Sequence, residues 1–160
     1  MGEEDHNVLR KYASKVSGEI VEIGAYAGKS ARVLALASPK SHITTIDSYI
    51  DWHYKDIGEA LKIRGKCLKE ISGLNVTLIS KTSEFVGRNW NTPIDLLHID
   101  GDHNYEAVKS DISLFVPHVS GVVLLHDYTV QEFGVAKAVK ELKDYFKSIK
   151  REAGFAVCRI

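Results

Sequence analysis

The sequence predicts an α/β fold in which helices cover both faces of a mostly parallel, doubly wound sheet. Two observations support this fold class. Short runs of Val, Ile and Leu alternate along the chain with segments whose apolar residues recur at helical spacing. Gly121–Leu125 is a continuous apolar run, which is typical of a strand buried on both faces. Because crossovers between parallel strands are right-handed, few topologies remain.

Length and composition bound the class of protein. With 160 residues the chain fits one domain with a substantial core, and we divide it into an N-terminal helix (1–17) and a core (19–160). Its 21 basic and 21 acidic residues cancel, so no broad positive field favours a nucleic-acid backbone. No apolar run approaches the roughly 20 residues of a membrane span, and the N-terminus lacks an apolar leader. We therefore expect a cytoplasmic protein that binds neither nucleic acid nor membrane, with Cys67 and Cys158 as reduced thiols.

In the first half of the chain, turn residues separate strands from helices. The apolar residues between Val8 and Val16 share one helical face, a later helix stops before Pro39, and the next ends near Gly73. The predicted elements, in order, are helix Val8–Val16, strand Glu19–Gly24, helix Lys29–Ala37, strand Ile43–Asp47, helix Ile57–Ile71, strand Val76–Ile79 and helix Ser83–Val86. Successive strands are thus joined by helices, as parallel pairing requires.

The second half continues the alternation and then departs from it. The predicted elements are strand Ile94–Asp100, helix Tyr105–Val116, strand Gly121–Leu125, helix Val135–Tyr145, and strands Ser148–Glu152 and Phe155–Ile160. Pro117 ends the first of these helices. Only Ala153 and Gly154 separate the last two strands, too few for a helical crossover, so they form an antiparallel hairpin. The complete prediction is a Rossmann-like sheet of seven strands, mostly parallel, with a C-terminal antiparallel hairpin.

The most informative motif is the turn Gly24–Ser30, which follows the first strand and opens a helix at once. A glycine turn in this position lets a ligand approach the backbone closely. The next strand ends on Asp47, whose carboxylate is placed to accept hydrogen bonds from ribose hydroxyls. Together the two features predict a cofactor that contains a nucleoside.

Three other interpretations of this turn compete. The turn ends in Gly-Lys-Ser like a phosphate-binding loop, but three residues separate its glycines where that motif needs four. The dinucleotide fingerprint needs glycine at position 26, where Tyr26 stands, yet a nicotinamide-dependent oxidoreductase stays an alternative. Gly24 and Gly28 could also be ordinary turn and packing glycines.

A further combination of residues resembles a known family. Glu22 lies two residues before Gly24, and with the turn, Asp47 and the C-terminal hairpin it resembles the S-adenosylmethionine site of class I methyltransferases. The resemblance implies S-adenosylmethionine as cofactor. It implies contacts with the methionine portion from Glu22, Gly24, Ala25 and Tyr26, with the ribose from Asp47, and with the adenosine from Ser48, Thr82 and Ser83. Gly28 belongs to the same predicted cofactor site.

A second cluster of polar residues follows the fourth and fifth strands. Ile99–Tyr105 and Gly121–Tyr128 resemble the metal-dependent O-methyltransferases, both the catechol type and those that act on sugars of macrolide and coumarin antibiotics. The resemblance implies a divalent metal, Mg²⁺ or Mn²⁺, held by Asp100, His126 and Asp127. Imidazole is a poor ligand for Mg²⁺, so His126 favours Mn²⁺ or a softer ion.

A metal-free interpretation stays open beside it. Methyl transfer needs in-line positioning and the removal of one proton. His103 or His126 could be the base, since imidazole titrates near neutral pH, and Asp102 could orient it. Asp100 would then bind the ammonium group of the cofactor. His98 lies within the fourth strand, which favours a hydrogen-bonded core residue.

The function predicted from the sequence is methyl transfer from S-adenosylmethionine to a hydroxyl of a small acceptor, a sugar or a glycosylated metabolite. Acceptor specificity would come from a second subunit of a homodimer or from the 49–57 loop, where Trp52, His53 and Tyr54 could form a lid. A module that binds the cofactor without transferring methyl is an alternative.

Overall fold

The computed structural model describes residues 1–50 and 54–160. Within these residues the strands are β1 (Glu19–Ile23), β2 (His42–Ile46), β3 (Val76–Ile79), β4 (Ile94–Ile99), β5 (Val119–Leu125), β6 (Ser148–Glu152) and β7 (Phe155–Arg159). The α-helices are α1 (Glu3–Ala13), α2 (Lys29–Ala37), α3 (Ile57–Glu70), α4 (Ser83–Gly87), α5 (Tyr105–Phe115) and α6 (Val135–Glu141). Short 3-10 turns follow α5 and α6.

All seven strands belong to one sheet, in the order β3-β2-β1-β4-β5-β7-β6. The first five strands pair in parallel, β7 runs antiparallel to β5, and β6 runs antiparallel to β7. The predicted fold class is therefore confirmed. From β1 the chain moves outward to β3 and then returns to the other side of β1 as β4. In such sheets a ligand crevice forms at the carboxyl ends of the two strands where the direction reverses, here β1 and β4.

The core lies on both faces of the sheet because side chains alternate along each strand. On one face, Ile20, Leu96 and Leu124 pack with Leu9 of α1 and Leu34 of α2. The other face carries Val21, Leu97 and Val123, which pack with Ile112 and Phe115 of α5. Both cysteines are buried and free. Among the described residues, none of the helices combines the length and the apolar character that crossing a membrane requires.

Helix α1 differs from its predicted bounds of Val8–Val16. It begins at Glu3, because Glu3, Glu4 and Asp5 place three carboxylates in its first turn, where they favour the positive end of the helix dipole. The Asp5 carboxylate also accepts the Gly2 amide hydrogen at 2.8 Å. The apolar pattern on which the prediction depended marks only the buried middle of this helix. Elsewhere, β5 begins at Val119 rather than Gly121, and α6 ends at Glu141 rather than Tyr145.

Strand β6 is an edge strand of the sheet, and four of its five residues are exposed. It therefore contributes little to the core and is held through its pairing with β7. Its exposed residues include Lys150 and Arg151, which are the kind of charged residue that protects a strand at the margin of a sheet.

Candidate active site

A cavity of about 540 Å³ opens at the carboxyl ends of the parallel strands, at the β1/β4 reversal. This volume lies within the range typical of small-molecule sites. The acidic residues of its lining are Asp47, Glu84, Asp100, Asp102, Glu106 and Asp111. Among the described residues that line the cavity, none is Lys or Arg. The cavity therefore favours a cationic ligand and disfavours one that carries phosphates.

The turn after β1 forms one wall of the cavity. Gly24 has φ +98°, and a Cβ there would lie 2.1 Å from the Asp100 carbonyl oxygen, so only glycine fits. Asp47 ties this turn to the end of β2, because its two carboxylate oxygens accept the amide hydrogens of Tyr26 (2.7 Å) and Tyr49 (2.9 Å). The Tyr49 hydroxyl donates to the Tyr26 carbonyl at 2.9 Å and closes the arrangement. Asp47 thus shapes the turn and lines the cavity at once.

Seven of the ten residues predicted to bind the cofactor line this cavity: Gly24, Tyr26, Asp47, Ser48, Thr82, Ser83 and Asp100. Two of the others lie beneath the turn. Ala25 is buried and packs with Tyr49 and Cys67, while Gly28 begins α2, where a Cβ would lie 3.1 Å from the Cys67 sulfur. Both residues therefore shape the turn and do not face the cavity. Trp52 and His53 of the predicted lid lie outside the described residues, and Tyr54 lines the cavity.

Glu22 is the tenth residue, and the structure places it away from the cavity, contrary to the prediction. Its side chain is fully buried and accepts a hydrogen bond from the Thr45 hydroxyl at 2.5 Å. The His98 Nδ1 atom lies 3.2 Å from its other oxygen. Because side chains alternate along β1, Ile23 faces the cavity and Glu22 faces the opposite side of the sheet. His98 is fully buried, as expected for a core residue.

His126 makes ionic contacts through both ring nitrogens. Nδ1 lies 2.9 Å from Asp100 Oδ1 and 3.4 Å from Asp127 Oδ1, and Nε2 lies 3.4 Å from Asp5 Oδ2. Burial opposes protonation, but the bond to Asp100 and the charges of Asp100, Asp127 and Asp5 outweigh it and raise the pKa of His126 to about 9. An imidazolium has no lone pair for a proton or a metal ion. In this arrangement His126 is therefore the ion-pair partner of Asp100, and its predicted roles as base and as metal ligand stay predictions.

Asp100 is the partner of this imidazolium. Burial alone would raise its pKa, but the hydrogen bond from His126 and the neighbouring histidines His98 and His103 hold the pKa of Asp100 below its usual value. The carboxylate is thus ionised at neutral pH while it faces the cavity. A fixed negative charge in this position suits a cationic group of a ligand.

Asp100, His103 and Asp127 form the group that could hold a metal ion. One ligand atom from each lies within 4.8 Å of the others. His103 Nε2 is 3.3 Å from Asp127 Oδ2, and the His103 ring stacks on Phe133 with 4.6 Å between ring centroids. Two of the three predicted ligands, Asp100 and Asp127, belong to this group. Its third member is His103, whereas the prediction named His126.

The sequence predicted that Asp102 orients the catalytic histidine, but in the structure Asp102 bonds to Asn104. Its Oδ1 accepts the Asn104 amide hydrogen at 2.9 Å, and its Oδ2 accepts the Asn104 side-chain amide at 2.5 Å. Asn104 is the N-cap of α5, so Asp102 supports the start of that helix. The carboxylate that contacts His103 is Asp127.

Asp111 lines the cavity and was missed from the sequence. It is 2% exposed, on the face of α5 that also buries Val108, Ile112 and Phe115. Burial raises the pKa of Asp111 to about 7 against the effect of a hydrogen bond from Ser83, and the nearby charge of Asp102 adds to the increase. Its position on an otherwise apolar helical face was the available signal.

Comparison with known proteins gives two findings on sequence. Residues 21–128 match the protein family described as a methyltransferase domain. The uncharacterized protein y4gI of Sinorhizobium fredii is 31% identical over 123 residues, which is 72% of this chain and 14% of that protein. This chain thus spans a small part of the curated relative that it matches.

Solved structures show the same fold at low sequence identity. CalS11, a TDP-rhamnose 3'-O-methyltransferase of calicheamicin biosynthesis, superimposes with a TM-score of 0.69 at 16% identity, over 97% of this chain and 77% of CalS11. An O-methyltransferase of Bacillus cereus in complex with SAH gives 0.71 at 13% identity, over 100% and 82%. TomG of Streptomyces achromogenes, an O-methyltransferase in complex with SAM, gives 0.65 at 14% identity, over 98% and 78%.

Proposed function

This chain belongs to the methyltransferase domain family, and from that premise we propose that it transfers a methyl group from S-adenosylmethionine to a hydroxyl of a small acceptor. The observation that carries the proposal is the acidic lining of the cavity, which has six acidic side chains and, among the described lining residues, no Lys or Arg. S-adenosylmethionine carries an ammonium, a sulfonium and a carboxylate, and such a lining attracts its net positive charge. NAD and ATP bring phosphates, which it repels.

The residues of the cavity fit this cofactor. The ionised Asp100 carboxylate, next to the Gly24 turn, is the group for the ammonium. Asp47, at the tip of β2, is the group for the ribose hydroxyls, and Thr82 and Ser83 at the start of α4 are the groups for the adenine. The positive φ of Gly24 lets the backbone come close to the ligand.

The cofactor supplies an activated methyl group, so the protein has to position the acceptor and remove one proton. His103 is the residue that we assign to the proton. Its Nε2 is 3.3 Å from Asp127 Oδ2, and its ring is fixed by stacking on Phe133. A carboxylate beside one ring nitrogen selects the tautomer and orients the ring. Asp127 is therefore the orienting residue.

A divalent cation is the second way in which the same residues could act. Two carboxylates and one imidazole, from Asp100, Asp127 and His103, suit Mn²⁺ or a softer ion better than Mg²⁺, which prefers oxygen ligands. A bound cation lowers the pKa of a coordinated hydroxyl. The two mechanisms make opposite predictions for a chelator.

The acceptor is proposed from the comparisons and the cavity together. CalS11 is a TDP-rhamnose 3'-O-methyltransferase, which supports a sugar-containing acceptor for this chain. Tyr54, the last residue of the predicted lid, lines the cavity and offers an aromatic face to such a group. A second subunit of a homodimer could complete the acceptor side.

Isothermal titration calorimetry with S-adenosylhomocysteine, NAD and ATP tests the proposal. S-adenosylhomocysteine should bind, and Asp47→Ala should weaken its binding by at least about tenfold, because two hydrogen bonds to a charged group are lost. Asp144→Ala, at an exposed aspartate away from the cavity, is the matched control and should bind normally. Binding of NAD or ATP in place of S-adenosylhomocysteine would contradict the proposal.

The role of a metal is tested separately by turnover with and without a strong chelator. Activity that disappears on chelation and returns with Mn²⁺ assigns Asp100, His103 and Asp127 to a cation. Turnover that survives thorough chelation assigns His103 to the proton alone.

A further inference from the structure

We infer that Asp5 of helix α1 is a positioning residue of the cofactor site, which acts through His126 on the carboxylate of Asp100. The inference rests on the proposed function, because it concerns the amino-acid portion of S-adenosylmethionine. Asp5 lies outside residues 21–128, which match the methyltransferase family, so the family does not assign it a role.

Asp5 and Asp100 contact opposite ring nitrogens of His126. Asp100 Oδ1 is 2.9 Å from His126 Nδ1, and Asp5 Oδ2 is 3.4 Å from His126 Nε2. The His126 ring is 7% exposed, and its edge packs against Phe155 with 4.9 Å between ring centroids. A nearly buried ring with a carboxylate at each end has one orientation that satisfies both nitrogens.

Asp5 itself is held in place from two sides. Its Oδ2 accepts the Gly2 amide hydrogen at 2.8 Å, and its Oδ1 accepts the Gly154 amide hydrogen at 3.4 Å from the turn between β6 and β7. The Tyr12 hydroxyl of the same helix donates to Glu152 Oε2 at 2.9 Å and fastens α1 to the hairpin. The first turn of α1 and the hairpin turn therefore enclose His126 together.

Gly154 leaves the space that this contact needs. A Cβ at position 154 would lie 3.1 Å from Asp5 Oδ1 and 3.4 Å from His126 Nε2. Any larger residue would press directly on the pair. The hairpin turn and α1 are thus shaped around the same imidazole.

Loss of the Asp5 carboxylate would release His126. Without the carboxylate beside Nε2, the contact between Nδ1 and Asp100 no longer has a second ionic contact at the other end of the ring to hold its orientation. The Asp100 carboxylate would then lose its fixed partner. Asp100 faces the ammonium in the proposed complex, whereas Asp47, Thr82 and Ser83 face the nucleoside. The loss should therefore affect the amino-acid portion of the ligand selectively.

The experiment compares two ligands that differ only in this portion. S-adenosylhomocysteine carries the amino acid, and 5′-methylthioadenosine has the nucleoside without it. Asp5→Asn keeps the size of the side chain and an oxygen for the Gly2 amide, but removes the charge that faces His126. Calorimetry should show S-adenosylhomocysteine binding weakened by about tenfold, the effect of one charge-assisted hydrogen bond, with 5′-methylthioadenosine binding unchanged. Glu4→Gln removes a neighbouring exposed charge from the same helical turn and should change neither affinity.

The outcomes separate a positioning role from a structural one. Equal loss for both ligands in Asp5→Asn, or no loss for either, overturns the inference. If Asp5→Asn does not fold, as judged by circular dichroism, Gly154→Ala presses on the same contact from the hairpin and should show the same ligand selectivity. A wild-type protein that binds neither ligand overturns the proposed function as well, and so distinguishes that failure from a failure of the inference alone.

Discussion

At the scale of single residues, the backbone of this protein is strained mainly where ligand chemistry is proposed. Tyr26, Tyr49 and Asp127 have φ of 42°, 52° and 55°, values that residues with a side chain rarely adopt. Tyr26 and Tyr49 are held by Asp47, and Asp127 follows β5 beside His103. Such strain persists only where neighbouring contacts enforce it, and it is concentrated at functional sites in proteins.

Asp111 gives a prediction for the pH dependence of stability. Its folded-state pKa of about 7 lies above its ordinary value of 3.8, so the folded protein holds this proton more tightly than the unfolded chain. The stability that it contributes is complete below about pH 3.8 and is lost as the pH rises through 7. Asp111→Asn removes this loss. The stabilising effect of the substitution should be about 3 kcal/mol larger at pH 8 than at pH 5.

Urea denaturation of both proteins at the two pH values measures this difference. Asp144→Asn, at an exposed position, is the control and should show no such change with pH. An equal effect of Asp111→Asn at pH 5 and pH 8 would mean that Asp111 is ionised throughout this range in the folded protein.

The residue scale is also where sequence reasoning reached its limit. The motif spacing predicted that Gly24, Asp47 and Asp100 would meet at one edge of the sheet, and the structure places all three in the cavity lining. It predicted wrongly that Glu22 would contact the cofactor, and it did not predict the ion pair between His126 and Asp5. The direction of Glu22 depends on the alternation along β1, and the state of His126 depends on Asp5, which is remote in sequence. The contact between Asp5 and His126 follows from tertiary packing and leaves no periodic signal in the sequence.

At the scale of elements, the β1–α2 turn is the part of the fold most specialised for a ligand. The turn lies so close to the end of β4 that a Cβ at position 24 would collide with the backbone of Asp100 and Gly101. The turn is therefore fixed by contacts on both sides, from Asp47 of the β2 end and from the β4 end. A substitution here should affect binding and stability together.

Gly24→Ala tests this element against a matched glycine. The new Cβ would meet the Asp100 carbonyl at 2.1 Å in a residue with φ +98°, so we expect a loss of at least about 2 kcal/mol in stability and no binding of S-adenosylhomocysteine. Gly65→Ala in α3 places its Cβ in open space and should stabilise the protein by about 0.5–1 kcal/mol with normal binding. Thermal unfolding and calorimetry measure both quantities. Normal binding by Gly24→Ala would show that the turn has room to move.

Sequence predictions for the elements were accurate where the pattern had clear ends. The bounds of α2 and β3 agree with the structure, because Pro39 and the residues before Val76 mark the limits plainly. Helix α1 was placed too late, since its first turn is defined by acidic residues and a cap rather than by apolar ones. Apolar periodicity detects the buried part of a helix, and its polar ends need separate signals.

At the scale of the whole molecule, charge is segregated although the total is zero. The chain has 21 basic and 21 acidic residues, yet six of the acidic ones line the cavity, without Lys or Arg among the described lining residues. The composition therefore gave no sign of a negative cavity. The family match confirms the predicted methyltransferase resemblance, while α1, α6, β6 and β7 lie outside the matched residues.

This segregation predicts a difference between the two forms of the cofactor. S-adenosylmethionine carries one positive charge more than S-adenosylhomocysteine, so the acidic cavity should hold it with a stronger dependence on salt. Raising the salt concentration from about 0.05 M to about 0.5 M should weaken binding of S-adenosylmethionine more than binding of S-adenosylhomocysteine, because screening acts on the extra charge. Calorimetry at both salt concentrations measures the change in Kd for each ligand. Parallel changes for the two ligands would indicate that the cavity field does not reach the sulfur.

The exposed edge strand β6 bears on how molecules of this protein associate in concentrated solution. A strand with one unpaired side is a template on which a second molecule can add its own strand, and the sheet could then continue from molecule to molecule. Lys150 and Arg151 oppose this growth, because two such strands would bring like charges together. Their replacement by neutral β-branched residues should leave the cavity intact and favour association between molecules along this edge.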